Sequence, residues 1–288
     1  MPSSDIGPLV LAGSGEFTDT MDGLDRYIVD RIGGRPVVLI ATSCAMEGDE
    51  RMTWWEQLGV SHFKHLGIDA VPLRIATRED ANVEEKAAQI AAAGFVWFSG
   101  GSAIYLARCF DGTRAFEALR AANERGTAVA GASGGLGVLN PHVPGQEPPR
   151  PAGPPNPIGG ANDPRSSIFG RQVAGFGPPA YPPDAPKMPE TGPSGLGLAA
   201  PIRAMAHFDR MEARRPEAVE RTVASLEPGQ KAVGVDEDTA VVWTEGVWKV
   251  MGHKRVQVFE KDRPPVLFRP GDSVDVLPPP ERASLAVK

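Results

Sequence analysis

One serine stands where a nucleophile would be made. The stretch "AVAGASGGLGVL", residues 128–139, runs small apolar residues into Gly131-Ala132-Ser133-Gly134-Gly135 and then resumes its apolar character. Gly-X-Ser-X-Gly between a strand and a helix is the pattern of a nucleophile elbow, whose tight turn demands small neighbours. The helix that follows brings unpaired N–H groups to the place where an oxyanion would form. The competing reading is a plain glycine-rich turn or a phosphate loop. G-x-G-x-x-G does not fit, and Leu136-Gly137 stand where a Walker Lys-Ser/Thr would be.

A serine nucleophile needs a general base. The chain has five histidines: His62, His65, His142, His207 and His253. His62 and His65 lie on an amphipathic helical stretch and read as a solvated face, and His253 falls in a hairpin turn. His142 opens a proline-rich segment. His207, in "RAMAHFDR", sits where an apolar stretch gives way to charge. Position and context put His207 first and His142 second. Cys44 follows a strand but lies away from the elbow, so it reads as a structural thiol.

The elements that must position these groups alternate along the chain. "PLVLAG", "RPVVLIATS", "IDAVPLRI", "FVWFSGG" and "TAVAGA" read as strands. Between them run helical stretches such as "TMDGLDRYIVDRIGG" and "EDANVEEKAAQIAAAG". "DERMTWWEQLGVSHFKHLG" also reads as a helix, broken near Gly59. Continuous apolar strands of this kind are buried on both faces, which predicts an α/β fold with a mostly parallel sheet flanked by helices in three layers. Ligands bind such sheets beyond the carboxyl ends of the strands. Gly13–Glu16, Thr42–Cys44, Gly100–Ser102 and Ser133 all lie there.

After the elbow the chain changes character. Sixteen of its 29 prolines fall between Pro141 and Pro193. Residues 140–195 read as a proline-rich insertion, either a linker or an ordered flap. Its apolar stretch 168–177 favours partial order. "RPEAVERTVASL" is then a helix with Pro216 in its first turn, and short strands with turns at Glu245-Gly246 and Gly252 predict C-terminal β hairpins. Residues 263–288 form a C-terminal extension. No second domain boundary is evident, so residues 1–288 read as one α/β hydrolytic domain.

Composition narrows the classes. A net charge of −6 with no dense Lys/Arg block argues against a nucleic-acid partner. No apolar run reaches membrane-span length and the N-terminus lacks a signal-peptide pattern, so no membrane partner and a cytoplasmic location are expected. Two cysteines give no disulfide framework. No metal-ligand spacing appears, and neither a metal nor a cofactor is expected.

Five motifs in order carry a family resemblance. They are Ala12-Gly13-Ser14-Gly15-Glu16, Phe98-Ser99-Gly100-Gly101 with Leu106, the Gly131–Gly135 elbow, Gly195-Leu196-Gly197-Leu198 before His207-Phe208, and Gly234-Val235-Asp236-Glu237-Asp238-Thr239-Ala240. Together they resemble the peptidase E and cyanophycinase family of serine peptidases, whose fold is related to class I glutamine amidotransferases. The resemblance implies Ser133 as nucleophile and His207 as base, with backbone N–H groups of Gly134 and of Gly101 (or Gly100) as the oxyanion hole. It places the third triad member on the loop between Ser133 and His207. Asp163, in Asn162-Asp163-Pro164, is the first candidate there, with Glu147 and Glu190 the others. Glu16 and Asp236-Glu237 match family positions and read as structural or rim residues, with Glu16 and Gly100 at the substrate rim.

The resemblance implies a small peptide, isopeptide or related amide substrate, with an aspartyl carboxylate that an arginine would hold. Arg210 and Arg214, with Arg215 beside them, are the candidates. A homodimer is the one assembly left open. Two departures from the family stand out. Gly134 replaces the elbow's usual alanine, which would loosen the oxyanion geometry, and Met205 replaces the aspartate that cyanophycinase-like members carry two residues before the histidine. The alternatives are a small-ligand binding protein that has lost hydrolysis on the same fold, and an acyltransferase using the same serine.

Overall fold

The computed structural model describes residues 6–140, 182, 184–190, 195–199 and 201–280. His142, Glu147, Asp163 and the apolar stretch 168–177 lie outside the described residues.

The five apolar runs are the parallel strands β1 (Leu9–Ala12), β2 (Val37–Ile40), β3 (Ala70–Pro72), β4 (Phe95–Phe98) and β5 (Ala128–Ala132). Every residue of β1, β2, β4 and β5 is buried, as strands covered on both faces must be. β3 is the exception, a short edge strand. Pro72 lacks the N–H that a further partner would need, so it is confined to such an edge.

Two later strands extend this sheet. β8 (Thr239–Thr244) pairs antiparallel with β1, and β9 (Val247–Gly252) pairs antiparallel with β8, giving the order β3-β2-β4-β5-β1-β8-β9. The β8–β9 hairpin turns at Glu245-Gly246, both with positive φ (53° and 81°), the backbone that a two-residue hairpin loop requires. A second, four-stranded sheet has the order β11-β10-β7-β6. It comprises β6 (Ile202–Met205), β7 (Lys231–Val235), β10 (Val256–Glu260) and β11 (Val266–Phe268). The turn near Gly252, expected within a hairpin, instead carries the chain from one sheet to the other, and β10 pairs antiparallel with β7 and with β11.

The helices are α1 (Asp22–Val29), α2 (Asp49–His65), α3 (Glu84–Ala92), α4 (Ala103–Phe110), α5 (Arg114–Glu124), α6 (Gly134–Leu139), α7 (Phe208–Arg214) and α8 (Pro216–Ala224). α2 is continuous and does not break at Gly59. The glycine instead lets the helix lie close on the sheet. A Cβ there would stand 2.7 Å from Leu39 Cδ1 and 3.1 Å from Phe17 Cζ. His62 also departs from its expected place. It is buried on α2, where its Nε2 lies 2.8 Å from Asp25 Oδ2, and Trp97 Nε1–H donates to Asp25 Oδ1 at 2.9 Å. His65 is exposed as expected.

The larger core cluster draws residues from both sheets. A smaller one gathers Met205, Phe208, Val219, Leu226, Ala232 and Phe259 behind the second sheet. Among the described residues no helix is long and apolar enough to cross a membrane. The order of the first sheet places the carboxyl ends of β4, β5 and β1 side by side. Phe98 is opposite Gly131, and Ala132 is opposite Ala12. The site forms where these ends meet.

Candidate active site

Ser133 is the hinge between β5 and α6. Its backbone takes φ 51° and ψ −112°, a strained conformation for a residue with a Cβ. Such strain costs about 1–3 kcal/mol and persists only where the surroundings impose it. They do so here through Ser133 N–H, which donates to Ala12 O at 3.3 Å, and Ser133 O, which accepts from Gly137 N–H at 3.0 Å. His207 follows β6 and is left-handed as well, with φ 48° and ψ 40°. Its N–H donates to Gly13 O at 3.2 Å. Two adjacent carbonyls at the end of β1 thus hold the backbones of both residues.

The side chains meet. His207 Nε2 lies 2.9 Å from Ser133 Oγ, and His207 Nδ1 lies 2.7 Å from Glu237 Oε1. An ionised carboxylate only accepts, so Nδ1 carries the ring proton and Nε2 is left to receive the one on Ser133 Oγ. Glu237 sits in the bend between β7 and β8. Its own N–H donates to Asp209 Oδ1 at 3.3 Å. Its second oxygen, Oε2, is 3.0 Å from Arg210 Nη2. The imidazole is part-exposed and the carboxylate is nearly covered, with side-chain exposures of 39% and 10%. Water and substrate reach this site from the histidine side.

Among the described residues, the acid on the imidazole comes from outside the loop between Ser133 and His207. Asp163 and Glu147 lie outside the described residues, and Glu190 is exposed. The carboxylate on Nδ1 belongs to Glu237, which had read as a structural or rim residue. Its sequence signals were the Asp236-Glu237 pair directly after an apolar strand and the Gly234–Ala240 motif that contains it. Arg210, expected to face a substrate carboxylate, is turned onto Glu237 instead. Arg214 and Arg215 are exposed at the far end of α7.

Opposite the histidine lie the strand-end glycines. Gly101 has φ 137°, open to glycine alone, and a Cβ there would meet Ser43 O at 2.5 Å. The neighbouring peptides are pinned by Ser43. Its Oγ lies 2.8 Å from Ser99 O and 2.6 Å from Gly100 O, and its carbonyl accepts from Ser102 N–H at 2.6 Å. Ser102 in turn caps α4, its hydroxyl accepting from Tyr105 N–H at 3.2 Å.

Gly134 packs directly on this loop. A Cβ on it would stand 2.0 Å from Gly101 O and 3.0 Å from Gly101 N. The glycine that seemed to loosen the oxyanion geometry is thus the residue that permits the two loops to touch, and an alanine has no room.

Glu16, expected at the substrate rim, is only 1% exposed and lies beneath it. Its Oε1 accepts from Gly100 N–H at 3.1 Å, and Ser14 Oγ is 3.5 Å from Oε2. Burial pushes its carboxyl up, against the opposing effects of nearby N–H groups and His207.

Cys44 is fully buried, with its thiol on Ala41 O at 3.1 Å. Burial, reinforced by Glu47, raises the thiol far above its usual range, so it supplies no thiolate. His253 Nε2 lies 2.9 Å from Thr20 O, away from the serine. Among the described residues, no three or more His, Cys, Asp or Glu side chains cluster to hold a metal ion.

The model of peptidase family S51 matches residues 9–147. The fold is that of a crystal structure of a peptidase from an acI-B1 Actinobacterium, at a TM-score of 0.72. That likeness has 24% identity over 93% of this chain and 96% of the other. A putative peptidase E protein from Listeria monocytogenes EGD-e is similar at a TM-score of 0.53, with 14% identity over 92% and 98% of the two chains. A comparison with curated proteins gave no match. Residues 9–147, which carry Ser133 and the glycine-rich strand ends beside it, are thus similar to peptidase family S51, the serine peptidase family that the motifs of this chain resemble.

Proposed function

We propose that this serine peptidase cleaves a peptide, isopeptide or related amide bond through Ser133, His207 and Glu237. The observation that carries the reading is the chain of contacts from Ser133 Oγ to His207 Nε2 at 2.9 Å and from Nδ1 to Glu237 Oε1 at 2.7 Å. Ser133 Oγ attacks the carbonyl carbon as its proton passes to Nε2. The N–H of Gly134 and that of Gly101 receive the oxyanion. The C–N bond then breaks as Nε2 returns the proton to the leaving amine, and water repeats the cycle on the acyl-enzyme. Glu237 holds the imidazole in the required tautomer, and Arg210 holds Glu237.

A fluorophosphonate probe tests this directly. The wild type is expected to label, Ser133→Ala not at all. Glu237→Gln is expected to label about 10³-fold more slowly, because the wrong tautomer is then favoured. Labelling of Ser133→Ala at the wild-type rate would place the nucleophile elsewhere. The family resemblance makes aspartyl substrates the first to try, in a panel of Asp-X and β-aspartyl dipeptides. With Arg210 engaged by Glu237, Arg214 and Arg215 are the arginines left for a substrate carboxylate. Cleavage of neutral dipeptides as fast as aspartyl ones would remove that specificity.

A further inference from the structure

The catalytic reading leaves a buried acid beside Ser133 unused. Glu16 follows the end of β1, and its carboxyl lies under the turn that leaves β4. Its closeness to the nucleophile can be read from Gly100. A Cβ placed on that glycine would stand 2.9 Å from Glu16 Oε1, 3.4 Å from Ser133 Cβ and 3.7 Å from Ser133 Oγ. Glu16 and Ser133 therefore flank the same backbone unit.

Its surroundings do not suit a charge. Among the described residues no lysine or arginine forms an ion pair with Glu16, although it is 1% exposed. An ionised carboxylate so placed would lack the partner that buried charges require. It would also face the oxyanion that forms at Ser133, and two negative charges in a low-dielectric site oppose each other strongly. A neutral carboxyl has neither problem and still accepts a hydrogen bond.

We propose that Glu16 is a positioning residue that works as a neutral carboxyl. Its Oε1 takes the Gly100 N–H, which fixes the turn so that the next amide, Gly101 N–H, serves the reacting carbonyl oxygen. This rests on Ser133 being the nucleophile. The direction in which burial pushes the Glu16 carboxyl agrees with it. His207 is the titratable group that faces Glu16 from the start of α7, and it favours the charged form. From the β7–β8 bend, Asp238 lies against Gly15, where a Cβ would stand 2.6 Å from its Oδ1, with Lys254 Nζ 3.7 Å from its Oδ2. Burial outweighs these opposing effects, so Glu16 ionises only as pH rises above the ordinary carboxylate range.

Rates of fluorophosphonate labelling across pH, with melting temperatures as the check on folding, test the proposal. Glu16→Gln keeps the acceptor and can never be charged. It is expected to label within about threefold of the wild type at neutral pH. It is also expected to hold its rate at alkaline pH, where the wild-type rate falls. Glu16→Ala loses the acceptor and is expected to label at least ~10²-fold more slowly, the scale of one lost oxyanion donor. A folded Glu16→Gln as slow as Glu16→Ala would show that the charge is needed and would overturn the proposal. So would a folded Glu16→Ala at the wild-type rate, or a Glu16→Gln profile that falls with the wild type at alkaline pH. If Glu16→Ala fails to fold, the Gln comparison alone decides. Labelling that survives Ser133→Ala is a separate outcome, and it removes the nucleophile assignment along with this one.

Discussion

At the residue scale, the contact between Gly134 and Gly101 carries the most immediate prediction. A methyl group at 134 would have to displace a backbone carbonyl 2.0 Å away, not a flexible side chain. Gly134→Ala is expected to lose about 1–3 kcal/mol of stability, the usual cost of overpacking. Its fluorophosphonate labelling should slow by about 10²-fold, because the carbonyl that must move belongs to the oxyanion loop. Chemical denaturation and labelling rates on the same preparation check both. A Gly134→Ala protein as stable and reactive as the wild type would mean that the loops are not in contact.

At the scale of elements, the pairing of α1 with α2 is made by a buried acid and base. Asp25 is completely buried, and burial raises its carboxyl while His62 and Trp97 oppose that rise. His62→Ala removes the main partner and leaves Asp25 with Trp97 alone. The expected loss is about 3 kcal/mol, as for other buried pairs deprived of one member. Labelling of the protein that remains folded should be unchanged, since neither helix supplies a residue to the catalytic contacts. Urea melts followed by labelling in the absence of denaturant separate the two effects.

Elements also decide what could be read from the chain before its fold was known. The parallel strands were legible because being buried on both faces leaves a continuous apolar run. The elbow was legible because a tight turn restricts residue size over five consecutive positions. His207 stood out at a boundary between apolar and charged residues. Glu237 did not, because its function arises only when a bend between strands of two different sheets meets a histidine 30 residues earlier. Buried His62 was mistaken for a surface residue for a similar reason. Its partner Asp25 lies on another helix, and nothing local announces a long-range pair. Gly59 looked like a break because propensity disfavours glycine in helices, whereas close approach to the sheet selects it.

At the scale of the whole molecule, the site lies at a joint. Ser133 belongs to the seven-stranded sheet, while His207 follows β6 of the four-stranded one and Glu237 bridges from β7 to β8. Charged groups span this joint. Lys254 Nζ is 2.6 Å from Asp209 Oδ2, and Arg255 Nε is 3.1 Å from Asp236 Oδ2, with Glu212 on the same guanidinium. Burial alone would raise the Asp209 carboxyl, but Lys254 and the Glu237 N–H hold it below its usual value. A carboxyl depressed in the folded state contributes stability that is present above its unfolded value, near pH ~3.9, and lost as pH falls through the folded one. Lys254→Met removes that contribution. Its acid inactivation, followed by labelling after brief incubation at each pH, is expected to move to higher pH. An unchanged acid profile would show that the joint does not depend on this pair.

The end of β1 has a consequence for how such a protein tolerates change. Ala12 O receives Ser133 N–H, Gly13 O receives His207 N–H, and Ser14 O receives Asp238 N–H beside the acid, at 3.3, 3.2 and 3.0 Å. Three segments remote in sequence are registered against three consecutive carbonyls, so the yardstick that aligns the site is main chain throughout. Every amino acid supplies the same carbonyl, and point substitution cannot remove one. Drift in side chains leaves the alignment intact, whereas one residue inserted or deleted between 12 and 14 would put all three partners out of step at once.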